Sequence, residues 1–335
     1  MVKKHLEKVI RKFNIEDKKS FNYVLTQNER NIPIPKNLFE GFKDSIEFTD
    51  ISFYPNLETL KHKIKKYVSH EHVFLTPGSD VGIKTIFELF DFTDGEVLTT
   101  NYCFPMYQVY ADIYQATLVK VPYKNFKFNI KELINKINNK TKLIIIANPN
   151  SPIGDTYTLE EIKLLLDQGI PTVIDEAYIE LSLAESSVEL INKYDNLFVT
   201  RTFSKGLGAA GCRVGYICSN KHNIQLLNKL RLMYEVSGIS ARYCEFILDN
   251  FILYKQYLND MLIEKTKFIQ ELSTLSNFRI FDTDSSWFFL LKNENSDKFI
   301  RQNNISMRSL VLDFMNGTEW YKFNYDLKIK QNKIK

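Results

Sequence analysis

Cysteine is scarce in this 335-residue chain: Cys103, Cys212, Cys218 and Cys244 are the only four, and none forms a CxxC pair or stands at metal-ligand spacing with the five histidines. A zinc module and a disulfide framework are therefore not expected, and the fold must rest on its core. An excess of one charge is missing too. The 44 basic residues face 40 acidic ones, for a net charge of +4, which is too even for a nucleic-acid-binding surface. No run approaches the roughly 18 apolar residues of a membrane helix. The N-terminal stretch MVKKHLEKVIRKFNIEDKKS is charged throughout and has no apolar signal core. Together these absences predict a cytoplasmic, reduced protein without metal, nucleic-acid or membrane partners. The lysines at the end of the chain (Lys328, Lys330, Lys333 and Lys335) read as a frayed, solvated tail.

What the chain does have is an ordinary globular balance, 44% hydrophobic and 25% charged, and enough length to bury a large core. The first 20 residues pattern as an amphipathic helix with Leu6, Val9, Ile10 and Phe13 on one face. Pro33 and Pro35 then mark an extended stretch. From about residue 57 short apolar strands alternate with helices. The strands read VFLT (73–76), EVLTT (96–100), TLVKVPY (117–123), KLIIIAN (142–148), PTVID (171–175) and LFVTRTF (197–203). Helical periods cover 57–68, 79–90, 129–137 and 158–166. Continuous apolar strands between helices predict an α/β fold with a mostly parallel central sheet covered by helices on both faces. After about residue 220 the pattern turns to long helices, 221–232 and 240–271, and then to the strand-like runs FRIF and WFFLL. This predicts a large domain over 46–240 and a smaller α+β domain from 1–45 and 241–335.

The most informative segment is TFSKGLGAAGCRVG (202–215). Gly206, Gly208 and Gly211 make a G-x-G-x-x-G pattern, but it lies late in the chain. No acidic residue follows about 20 positions on, since residue 231 is Arg, so a dinucleotide site is disfavoured. A lysine at a strand end, Lys205, beside Thr202, Ser204 and Arg213, suits an aldehyde cofactor that carries a phosphate: the amine forms an imine and the hydroxyls and guanidinium take the dianion. TPGSD (76–80) follows a strand and opens a helix. Ser79 and Asp80 read there as caps of a helix N-terminus that also suits a phosphate, with Gly78 permitting close backbone approach.

These segments, with VIDEAYIEL (173–181), NYCFPMY (101–107), NPNSPIG (148–154) and YPN (54–56), resemble the histidinol-phosphate aminotransferase branch of the fold-type-I pyridoxal-phosphate enzymes. The resemblance runs from Asn28 to about residue 308. It implies pyridoxal 5'-phosphate as cofactor, held by Lys205 as a Schiff base. It implies that Asp175 pairs with the pyridine nitrogen, that Tyr178 donates to the ring's phenolic oxygen, and that Phe104 stacks on the ring. Gly78, Ser79, Asp80, Thr202, Ser204 and Arg213 would surround the phosphate. Tyr54 would reach the cofactor phosphate of a neighbouring subunit, which implies a homodimer with shared active sites. Glu176 receives no role. The chain also departs from the family's pattern. Ser151 stands where an asparagine usually donates to the ring oxygen, leaving Ser151 or Asn148 and Asn150 for that bond. Arg308, in SMRS, matches one of the family's anion-binding arginines, while Lys322, in WYKFNY, takes the place of the other. Arg30 replaces the asparagine of an Asn-Glu-Asn-Pro motif and is either a further cation or a solvated side chain.

The resemblance implies transamination from an amino-acid donor, glutamate by expectation, to a small phosphorylated ketone such as imidazole-acetol phosphate or dihydroxyacetone phosphate. Decarboxylation of a phosphorylated amino acid is the competing reaction, because it uses the same cofactor motifs. A binding protein without catalysis is opposed by the intact set Lys205, Asp175, Tyr178 and Arg213.

Overall fold

The computed structural model describes residues 3–11, 18–30, 34–274, 278–325 and 327–331. Its thirteen strands, in chain order, are β1 (Tyr23–Val24), β2 (Val73–Thr76), β3 (Glu96–Thr100), β4 (Thr117–Val121), β5 (Thr141–Ala147), β6 (Thr172–Asp175), β7 (Leu197–Thr202), β8 (Gly215–Cys218), β9 (Ile280–Asp282), β10 (Trp287–Leu291), β11 (Ile305–Ser306), β12 (Arg308–Leu312) and β13 (Thr318–Asn324). Seven of them form the central sheet in the order β2-β8-β7-β6-β5-β3-β4. Every pairing from β7 through β6, β5 and β3 to β4 is parallel, as the continuous apolar strands predict.

The reason is visible in the packing. Strand β5 sends Ile144 and Ile146 into one core and Leu143 and Ile145 into the other, and β6 and β7 divide their residues in the same way. With a hydrophobic layer on each face, the middle of these strands is apolar, and the polar residues Thr172, Asp175, Thr200, Arg201 and Thr202 fall toward their ends. Helix Ser79–Glu88 buries Ile83, Ile86 and Phe87 completely, while Phe90 falls beyond its end and is half-buried.

The structure departs from the sequence reading in three places. Strand β8 was not anticipated, and it pairs antiparallel with both β2 and β7. Its residues follow the glycine-rich loop so closely that the strand reads as part of that loop. The helix predicted over residues 1–20 is absent from the described part of that stretch. Two short 3-10 turns, Lys4–Lys8 and Lys18–Ser20, form there instead, with Leu6 and Ile10 exposed, and Phe13 lies outside the described residues. A helix this short has too few internal hydrogen bonds to stand alone. The span 240–271 is two helices, Gly238–Asp249 and Phe251–Thr274, separated at Asn250, whose side-chain amide turns back to the Phe246 carbonyl. Of the tail lysines, Lys333 and Lys335 lie outside the described residues.

A second, antiparallel sheet has the order β12-β13-β10-β9, and its aromatic face, Phe288 and Phe323 stacked 4.8 Å apart, packs against Phe268 of helix Phe251–Thr274. Strands β1 and β11 pair in parallel beside it, tying the start of the chain to its last quarter.

Candidate active site

Parallel strands deliver their C-terminal ends to one edge of a sheet, and the loops there form the natural binding crevice. In this chain that edge carries Asp175 at the end of β6, Thr202 at the end of β7 with Ser204 and Lys205 just beyond, and Thr76 at the end of β2 followed by Gly78.

Asp175 is buried. Its carboxylate accepts hydrogen bonds from Tyr107 Oη (2.8 Å) and Thr200 Oγ1 (3.0 Å), and the Ala177 amide donates to it at 3.2 Å. Burial raises its pKa, opposed by these donors. A carboxylate has roughly four lone-pair sites, so it retains capacity for one more donor. A cationic N–H arriving there would relieve the desolvation that burial imposes. Neither Tyr107 nor Thr200 was singled out from sequence. Thr200 had a signal, since it is the direct neighbour of Asp175 in the β6–β7 register.

Lys205 is half-buried; its Nζ donates to the Gln27 carbonyl at 2.7 Å and lies 5.5 Å from the Tyr178 ring centre. Tyr178 packs edge-on to Trp287. Phe104 is half-buried and edge-on to Tyr107 at 5.8 Å, which places it one ring away from Asp175.

The anion-binding corner differs from the sequence reading in its cap. Helix Ser79–Glu88 has Gly78 as its N-cap and no side-chain cap, so neither Ser79 nor Asp80 closes it. Asp80 instead accepts from Tyr110 Oη at 2.6 Å. The uncapped amides face an arginine. A Cβ on Gly78 would stand 2.6 Å from Arg213 Nη2, and Arg213 Nη1 donates to Ser204 Oγ and to the Ala210 carbonyl, both at 3.2 Å. Thr202 Oγ1 lies 3.0 Å from Ser204 Oγ. Free helix amides, two hydroxyls and a guanidinium around a position that tolerates only glycine are what a phosphate dianion needs. These residues fit pyridoxal phosphate.

At the opposite side, Asn148 and Asn150 are both committed to structure. Asn148 exchanges bonds with the Tyr157 backbone, and Asn150 donates to the Tyr102 carbonyl and accepts from Ile153 N. Ser151 is not tied to the backbone in this way; Lys322 Nζ lies 3.5 Å from its Oγ. Lys322 and Arg308 are cross-strand partners in β13 and β12, Lys322 buried and Arg308 exposed. Arg30 lies with its guanidinium 3.8 Å from the Tyr257 ring centre, and it and Lys205 both line one cleft with Asn28 and Tyr257. Glu176 is a structural carboxylate, buried and bonded to Ser186 and Ser187 beside Arg201. Tyr54 stands apart from this cleft, 76% exposed and stacked on Tyr234 at 4.0 Å.

The family model for aminotransferase class I and II matches residues 22–330. The chain belongs to that family. Class I and II aminotransferases are pyridoxal-phosphate-dependent transaminases, so the fit at the sheet edge and the family agree. Among relatives, "histidinol-phosphate aminotransferase 2" of Legionella pneumophila subsp. pneumophila is 34% identical over 288 residues, covering 80% of this chain and 76% of that protein. The histidinol-phosphate aminotransferase of Sinorhizobium meliloti, solved in complex with pyridoxal-5'-phosphate, superposes with a TM-score of 0.80 at 20% identity, over 93% of this chain and 89% of that one. L-threonine-O-3-phosphate decarboxylase of Porphyromonas gingivalis shares the fold with a TM-score of 0.74 at 19% identity, over 90% and 94% of the two chains.

Proposed function

We propose that this aminotransferase moves an amino group from glutamate, or a similar amino acid, to a small phosphorylated ketone of the imidazole-acetol phosphate or dihydroxyacetone phosphate kind. The observation that supports this reading is the pair Arg308 and Lys322 on neighbouring strands, an arginine and a lysine set directly opposite one another, which suits an anionic group of donor or acceptor. When bound, pyridoxal phosphate supplies a reactive aldehyde and an electron-accepting ring. The chain does the rest. Arg213, Ser204, Thr202 and the Gly78–Ser79 backbone hold the phosphate, with Asp80 supporting that corner through Tyr110. Asp175 would hold the proton on the ring nitrogen, Tyr178 and Ser151 would donate to the phenolic oxygen, and Phe104 would stack on the ring. Lys205 would hold the cofactor through its amine and, once free, would serve as the base that moves the proton at the substrate carbon.

Two architectural readings belong with this. We take 46–240 as the cofactor-binding domain and 1–45 with 241–335 as the smaller one, which the two separate sheets support. A homodimer is supported by the apolar side chains left uncovered around Tyr54: Phe48, Ile51, Phe53, Leu232 and Met233 are all more than 60% exposed. In such a dimer Tyr54 serves the neighbouring subunit's site. We expect the enzyme to work in the cytoplasm.

The test is steady-state kinetics with phosphorylated and unphosphorylated ketones. Arg308→Ala should raise KM for both half-reactions, because one cation serves both ligands in turn. Equal kcat/KM for the two ketone classes, or indifference to Arg308→Ala, would remove the substrate assignment. The decarboxylase sharing this fold makes carbon dioxide release the control: its appearance from a phosphorylated amino acid would replace transamination as the reading.

A further inference from the structure

Two lysines among the described residues are buried beyond nine-tenths, and their surroundings are opposite. Lys265, 4% exposed, is saturated: its ammonium donates to Asp282 Oδ1 (2.6 Å), the Thr283 carbonyl (2.9 Å) and the Ser285 carbonyl (2.7 Å). That is how a structural buried cation is satisfied, with a counter-charge and every donor used. Lys322, 8% exposed, has nothing comparable. Its Nζ reaches only Asn28 Oδ1 and Ser151 Oγ, each at 3.5 Å, and sits 3.9 Å from the Trp287 ring centre and 5.8 Å from that of Tyr178. Among the described residues no carboxylate stands within ion-pair range of it.

The charged groups that do face it have its own sign. Lys205 approaches from the loop after β7 and Arg308 from β12, while Tyr178, after β6, is the remaining titratable neighbour. Burial first, then Lys205 while its amine is free, and Arg308 lower the Lys322 pKa well below that of an ordinary lysine; burial and Arg308 act whether or not Lys205 is engaged. An ammonium without a partner in such a place costs several kcal/mol, and the group sheds its proton instead. Trp287 offers its π face to the cation, a contact worth a fraction of that cost.

We propose that Lys322 is a cation made on demand: when an anionic group of the substrate docks against Ser151, Asn28 and Arg308, one proton is taken up with it onto the Lys322 amine. The inference rests on the reading that substrate anions enter at the Arg308–Lys322 wall, and it adds the proton. The arriving anion supplies the counter-charge that the fold withholds, so anion and proton bind as a pair. An arginine in the same place would be permanently charged and could not do this. Between turnovers the wall carries one fixed positive charge, at Arg308, and acquires the second only while it is occupied.

Isothermal titration of the holoenzyme with sodium sulfate, which carries no titrating proton near neutrality, tests this in buffers of differing ionisation enthalpy. Wild type should take up about one proton per sulfate at pH 8, and its affinity should fall about tenfold per pH unit above that. Lys322→Arg should bind sulfate with no proton uptake and with an affinity flat in pH. Lys322→Met should bind weakly, again without uptake. Tight sulfate binding by wild type with zero proton uptake would overturn the proposal while leaving the anion wall intact. Uptake that persists in Lys322→Arg or Lys322→Met would place the proton on another group and overturn it as well. Sulfate affinity unmoved by both Lys322→Met and Arg308→Ala would instead show that the wall is not the anion site, and the underlying reading would fail.

Discussion

Replacing Gly78 by alanine should damage the enzyme in two separable ways. Gly78 has φ +85° and ψ 158°, a backbone region essentially closed to residues with a Cβ, at a cost on the order of 1–3 kcal/mol. Spread over the unfolding entropy of 335 residues, that lowers the melting temperature by roughly 1.5–4 °C. The second effect falls on the cofactor. The new Cβ would stand 2.6 Å from Arg213 Nη2, so the guanidinium must swing away and release Ser204 Oγ, now 3.2 Å from Nη1. A displaced charge-assisted bond to phosphate is worth about 1.5–3 kcal/mol, or roughly 10- to 150-fold in cofactor affinity. Thermal unfolding of the apoenzyme measures the first term, and titration of apoenzyme with pyridoxal phosphate the second. Gly169→Ala is the control: its φ is also positive, at +71°, but its Cβ would meet nothing within 4 Å, so it should lower the melting temperature and leave cofactor affinity unchanged. If Gly78→Ala bound pyridoxal phosphate as tightly as wild type, the placement of the phosphate between Gly78 and Arg213 would be refuted.

Further outcomes follow from the same geometry. Borohydride reduction of the holoenzyme and peptide mapping should place the pyridoxyl group on Lys205; a label on another lysine would end the central assignment. Asp175→Asn should keep the cofactor, since Tyr107 and Thr200 still hold the side chain, yet turn over orders of magnitude more slowly, because a neutral amide does not hold the ring-nitrogen proton; near-normal kcat would take Asp175 out of the mechanism. Burial raises the Asp155 pKa to about 6, against the donors Phe128 N and Tyr123 Oη. A raised folded-state value means stability present in acid and lost as pH rises, here between about pH 4 and pH 6, by on the order of 3 kcal/mol. Denaturant unfolding of Asp155→Asn should show that slope flattened, and an unchanged slope would assign it to another group.

The large sheet was legible because its strands are buried on both faces: a run such as KLIIIAN has no other soluble explanation between two helices. The cofactor edge was legible because Lys205, Ser204 and Arg213 lie within one short segment. What stayed hidden was contact between distant segments. Tyr107 reaches Asp175 across 68 positions, and Trp287 supports Lys322 from a neighbouring strand; nothing local in either residue's surroundings announces the partner. Asp80 misled because a carboxylate at a helix start has a cap as its default reading, and Tyr110, 30 positions away in another helix, donates to it instead. Strand β8 was missed because the glycine-rich loop ahead of it masks where extended structure begins.

The parallel pairing of β1 with β11 sets an order of assembly. Tyr23 meets Ile305, and Asn22 bonds Asn303 across 281 positions, so Gln27 and Asn28 cannot take their places until nearly all of the chain exists. The phosphate corner has no such dependence: every residue that one subunit brings to it lies between Gly78 and Gly215, and Tyr54, which would come from a neighbouring subunit, precedes them. A chain growing from its N-terminus therefore has every residue of the proposed phosphate corner some hundred residues before Arg308 and Lys322, and the late step closes a loop spanning most of the molecule, which is an entropically slow kind of contact to make. Cofactor capture can precede the arrival of Arg308 and Lys322, and the half-finished enzyme would then hold its cofactor with no wall to select what it meets.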